Sequence, residues 1–116
     1  MLDTADPVNF SALDALKSVL GADFPELIRD FNHLANDCLL KLEIAIAQSD
    51  SRAIQSLAHT LRGAALSLHA KPLADKCSEL ENMANSSDTA MLNSYIQNIR
   101  LEVKEVISAI EEWAYR

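Results

Sequence analysis

Glycine and proline are nearly missing from this chain. Two glycines and three prolines are spread over 116 residues. So few turn-forming residues exclude a turn-rich β architecture and favour helices. Positive charge is also scarce, with Lys and Arg numbering 10 against 17 acidic residues, for a net charge of −7. That balance argues against nucleic acid or an anionic membrane as partner, since both demand a basic surface. No apolar run reaches the roughly 18 residues of a membrane span. The start, Met1-Leu2-Asp3-Thr4-Ala5-Asp6, lacks the cationic and apolar regions of a signal peptide. There are two cysteines, Cys38 and Cys77, and both fall on apolar helical stripes. They read as buried thiols in a reducing compartment rather than as a disulfide, and the expected location is the cytoplasm.

Several chemistries lack their residues. His33, His59 and His69 have no metal-ligand spacing, so no metal site is expected. A Gly-rich phosphate loop is missing, which argues against autonomous use of ATP. No nucleophile, base and oxyanion site converge as a hydrolase requires. The chain therefore reads as a non-enzyme with no cofactor of its own.

What remains is helical. Residues 1–116 read as one domain, with 49% hydrophobic residues, enough for a modest core. A short first helix is predicted over about Asn9 to Leu20, carrying Phe10, Leu13 and Leu16, and ended by Gly21. The second runs from about Asp23 to Ser49, with Asp23 as N-cap and Pro25 in the first turn. Its stripe includes Phe24, Phe31, Leu34, Ala35, Cys38, Leu42 and Ala45. A turn at Gln48-Ser49-Asp50-Ser51 leads to a third helix ending near Leu68, whose core face centres on Leu61. His69-Ala70-Lys71 breaks again, and Pro72 suits the first position of a fourth helix with stripe Leu73, Cys77, Leu80 and Ala84. After Asn85-Ser86-Ser87-Asp88, a last helix runs from Thr89 nearly to the end. Its seam of Leu92, Tyr95, Ile99, Val103, Val106, Ile110 and Trp113 is that of a bundle helix. Short connections make neighbours antiparallel. The expected fold is all-α: an antiparallel four-helix bundle with a short additional N-terminal helix. It should bury its own stripes as a monomer.

One glycine sits where a helix least wants it. Gly63 interrupts Leu57-Ala58-His59-Thr60-Leu61-Arg62-Gly63-Ala64-Ala65-Leu66, at a cost of about 1 kcal/mol relative to alanine. Something must approach the backbone there. His59 lies one turn earlier and Arg62 between them, on one helical face. At about 100° per residue, His59 points roughly 160–200° away from the Leu61 core direction, toward solvent with Arg52, Ser56, Gly63 and Leu66. On the second helix Leu40 and Ile44 oppose the core stripe, and antiparallel pairing about Asp50 sets residues near 41 level with His59. An apolar patch beside a displayed histidine reads as a docking surface. Arg62 adds a charge suited to a phosphoryl group on the imidazole.

The stretch Leu57 to Ala65 resembles the histidine-containing phosphotransfer (HPt) motif, usually an Ala-His-x-Leu-Lys-Gly core followed by small residues. Downstream, Leu73, Cys77, Leu80 and Glu81 are similar to the family's Leu-x-x-x-Cys-x-x-Leu-Glu stretch. Upstream, Leu27-Ile28-Arg29-Asp30-Phe31 and Ala45 through Asp50 look like its preceding helix and turn, so the likeness spans roughly residues 10–110. The resemblance implies a phosphorelay intermediate that partners receiver domains of response regulators or a hybrid histidine kinase. His59 would be the phosphoacceptor, through Nε2. Arg62 would stabilise the phosphoryl group in place of the family's lysine, and Gly63 would allow close approach. The receiver would supply Mg²⁺ and dock against Leu40, Ile44, Ser56 and Leu66. A non-relaying adaptor that docks on a kinase or receiver and regulates it is the competing reading. Two positions depart from the pattern. Arg62 keeps the lysine's charge but changes its shape and reach. His69 stands where the family commonly has glycine, and at a positive φ it would be strained, though less than a β-branched residue. Ten residues from His59, or about 15 Å along the axis, it is no second acceptor.

Overall fold

A computed structural model describes residues 6–114 of the chain. Met1–Ala5, most of the start that lacks signal-peptide features, lie outside the described residues, as do Tyr115 and Arg116. The helices are α1 (Phe10–Leu20), α2 (Phe24–Ala47), α3 (Ser51–Ser67), α4 (Lys71–Asn82) and α5 (Thr89–Ala114), and a 3₁₀ turn, Gly21–Asp23, joins α1 to α2. The ring of four is closed: α2 packs on α3 and α5, and α4 packs on α3 and α5. Polar and aromatic contacts give the direction. Phe24 meets Trp113, while Arg100 reaches Glu43 at 3.1 Å, so α2 and α5 run in opposite senses. Lys76 pairs with Glu102 at 3.2 Å and Tyr95 bonds Glu79, which makes α4 and α5 antiparallel as well. The fold is the all-α, four-helix bundle with a short additional helix that periodicity predicted.

Apolar spacing explains which faces are inside. Leu42, Leu61, Leu80 and Ile99, one from each long helix, are fully buried. Each such side chain contributes roughly 1.5–3 kcal/mol of transfer free energy. Leu39, Ile46 and Ile96 join them, although the predicted stripes left them out. In a four-helix ring each helix faces two neighbours, so its apolar stripe is wider than a single seam. Leu34 goes the other way and is exposed, being on the edge of the α2 stripe. Ala84 is buried but lies beyond the end of α4. Asp23 precedes α2 without capping it: its backbone is helical, inside the 3₁₀ turn, and its side chain accepts no capping hydrogen bond. Capping side chains stand elsewhere. Asn9 accepts from Ala12 N–H at 3.1 Å, Asp50 from Ala53 N–H at 3.1 Å, and Asp88 from Met91 N–H at 2.9 Å.

α1 lies against α2, and Phe10 stacks against Trp113 of α5 at 5.9 Å between ring centroids. Just before it, Val8 is buried and Asn9 N–H donates to His69 O at 2.9 Å. The start of the described chain is thereby tied to the α3–α4 turn. Cys38 and Cys77 are free thiols and buried. No described helix is long and apolar enough to cross a membrane.

Candidate phosphotransfer site

α3 carries the site because its two faces differ completely. Ile54, Ala58, Leu61 and Ala65 are buried, while Arg52, Ser56, His59, Gly63 and Leu66 are exposed. The His59 side chain keeps 66% of its surface open, against 34% for Arg62 and 18% for Glu81. Arg62 Nη2 donates to His59 Nδ1 at 3.1 Å. Glu81, from the end of α4, sets Oε2 at 3.4 Å from the same nitrogen. Glu81 Oε1 also lies 3.0 Å from Arg62 Nε. That last pair is close but misaligned, since both atoms are buried and neither has a hydrogen-bond partner among the described residues. Both contacts to the ring meet it at Nδ1, and Nε2 carries none among the described residues. The arrangement holds the ring at Nδ1 and leaves Nε2 without a contact on a largely exposed side chain.

Periodicity and helical phase do not single out Glu81, which stands in the sequence only as the last residue of the Leu73–Glu81 stretch. A register signal existed. Folding α3 and α4 back on each other about Ala70 sets residue 81 level with residue 59.

Gly63 has open space around it. A Cβ built there would meet nothing within 4 Å. Its own carbonyl accepts from Ser67 Oγ at 3.1 Å. The helix cost of this glycine therefore has no return inside the chain.

The predicted docking residues are all exposed. Leu40 is 59% exposed, Ile44 52% and Leu66 50%. Ile44 and Ser56 line one shallow groove between α2 and α3, together with Lys41, Ala53 and Leu57. Leu40 continues the Ile44 face one turn earlier, and Leu66 lies two turns beyond His59 on α3. Leu40 and Leu66 are not part of that groove. His69 sits at the far end of α3 with φ +57°, the left-handed value that glycine would take freely. His33 is on the exposed side of α2. Among the described residues no group of three or more His, Cys, Asp and Glu is arranged to hold a metal ion.

A family model for the Hpt domain matches residues 26–113. The chain belongs to the Hpt domain family. The match takes in α3 with His59, Arg62 and Gly63, and α4 with Glu81. The crystal structure of histidine-containing phosphotransfer protein B from Pseudomonas aeruginosa PAO1 is similar to it, with a TM-score of 0.85 and 24% identity over 97% of this chain and 100% of that one. At that identity the likeness speaks for the fold. No curated protein matches the chain. Family membership gives this Hpt domain a phosphotransfer role in two-component signalling, as a phosphocarrier whose partners are receiver or kinase domains.

Proposed function

We propose that His59 of this Hpt domain takes a phosphoryl group from the phospho-aspartate of one receiver domain and passes it to the aspartate of another. The reading rests on one observation: a ring 66% exposed whose Nδ1 is held from behind while Nε2 is free. In the first half-reaction the lone pair of Nε2 attacks phosphorus. The N–P bond forms, the P–O bond of the mixed anhydride breaks, and its electron pair leaves with the aspartate carboxylate. The ring keeps a proton on Nδ1, and the positive charge it gains faces Glu81. Return transfer reverses these steps on a second receiver. The receivers carry the Mg²⁺, and this chain supplies the nucleophile, its orientation and the Arg62 charge beside the phosphoryl oxygens. The apolar faces of Leu40, Ile44 and Leu66, with Ser56 between the helices, form the docking surface. Gly63 lets the partner come close to the α3 backbone. The protein works in the cytoplasm as a monomer.

The test is transfer from the full set of phosphorylated receivers of the source organism, read by intact mass beside His59→Gln. The expected result is the mass of one phosphoryl group, acid-labile and missing in the variant. Binding to a receiver with no transfer from any of them would replace the relay by the regulatory adaptor.

A further inference from the structure

The two groups that meet His59 Nδ1 ask opposite things of it. A guanidinium is only ever a donor, and it stays protonated at any pH a protein survives. Its hydrogen bond at 3.1 Å therefore requires a lone pair on Nδ1. In a neutral imidazole the single proton is then on Nε2. A protonated Nε2 has no in-plane lone pair with which to attack phosphorus. Glu81 is only an acceptor and would stabilise the other tautomer, with the proton on Nδ1 and the lone pair on Nε2. Geometry decides between them. Arg62 is aligned at 3.1 Å, whereas Glu81 Oε2 stands back at 3.4 Å.

We propose that Arg62 is a brake as well as a phosphoryl ligand: in the free protein it holds His59 in the tautomer that cannot attack, and an arriving phosphoryl group releases it. The inference rests on His59 being the phosphoacceptor. An incoming phosphoryl group presents anionic oxygens that outbid a neutral ring nitrogen for the guanidinium. Once Arg62 turns to them, Nε2 gives its proton to water and Nδ1 takes one from water, facing Glu81. The ring stays neutral and Nε2 becomes a nucleophile. Arg62 Nε and Glu81 Oε1, 3.0 Å apart, form an ion pair without an aligned hydrogen bond, so the guanidinium can turn its Nη2 away from the ring while staying beside Glu81. Arg62 comes from α3 and Glu81 from α4. The neighbouring ionisable group is Cys77, which burial keeps as a neutral thiol.

The experiment is long-range proton–nitrogen correlation NMR of the His59 ring in the full chain, without any phosphodonor. It is run as a pH series, and the tautomer ratio is read on the alkaline plateau where the ring signals no longer move with pH. Wild type, Arg62→Ala, Glu81→Gln and the double variant are compared, with circular dichroism as the folding check. The expected wild-type spectrum has the proton on Nε2. Arg62→Ala should move the tautomer ratio toward Nδ1–H about tenfold or more, the scale of a hydrogen bond to a charged group. The double variant should lose most of that shift. A wild-type ring already protonated on Nδ1 would overturn the brake, as would an unchanged ratio in Arg62→Ala. Either failure leaves the relay itself to the mass test with His59→Gln, which does not depend on the resting tautomer.

Discussion

Ser49 and His69 do the same thing at the ends of neighbouring helices: each is the left-handed residue that closes its helix, at φ +54° and φ +57°. The bonds match one for one. Ser49 N–H donates to Ile46 O and Asp50 N–H to Ala45 O, while His69 N–H donates to Leu66 O and Ala70 N–H to Ala65 O. This is the Schellman pattern that usually carries glycine. Holding a non-glycine residue there costs of order 1–3 kcal/mol, and glycine's own entropy returns part of that. His69→Gly and Ser49→Gly should each stabilise the bundle by about 1 kcal/mol, or about 4 °C in a thermal melt. A loss of stability in His69→Gly would mean that the exposed imidazole makes contacts worth more than the strain.

Asp50 links the first of these caps to the site. It ends the α2 cap through its N–H and begins α3 by accepting from Ala53 N–H at 3.1 Å. α3 carries His59 two turns later. Asp50→Ala should cost about 1 kcal/mol in a urea titration. Asp50→Asn, which keeps the acceptor, should recover nearly all of it. Equal losses in the two variants would show that the charge matters and the cap does not.

Burial pushes the Cys77 thiol up to about 12, with further help from nearby Cys38 and Glu81 and opposition from Arg62. Burial also raises Cys38, and burial with the Glu79 hydrogen bond raises Tyr95. The sign is the same for all three. The folded state keeps its proton while the unfolded chain releases it, from 9.0 upward for a cysteine. Stability is therefore fully present below that value and falls as pH rises through the window toward 12. Urea midpoints at increasing pH should decline from about pH 9 onward. Cys77→Ala should start less stable but decline less steeply. A parallel decline in the variant would assign the alkaline loss to other groups.

Periodicity carried most of the fold, because aliphatic residues at three- and four-residue spacing have one way to be buried on a helix. His59 was legible as exposed for the same reason, being out of phase with Leu61. The turns were less legible. Ser49 gives no signal of a left-handed residue, and Asp23 looks like an N-cap but belongs to a 3₁₀ turn. Glu81 was the harder case. Its meeting with His59 and Arg62 depends on how α3 and α4 pair, and a single chain states that register only through the position of the turn at 68–70.

Gly63 separates stability from function most cleanly. Its backbone is helical and a Cβ would meet nothing within 4 Å, so alanine fits without strain. Gly63→Ala should stabilise the isolated protein by about 0.5–1 kcal/mol, through a better helix former and a less free unfolded chain. The same methyl group stands one turn from His59, on the face proposed to meet the receiver. Transfer from a phosphorylated receiver should therefore slow at least about tenfold, which is about 1.4 kcal/mol in the barrier. Reaction with a small donor such as phosphoramidate, which needs no docking, should be nearly unchanged. Chemical denaturation and the two transfer rates check all three expectations on one variant. A receiver rate equal to wild type would remove close approach as the reason for this glycine.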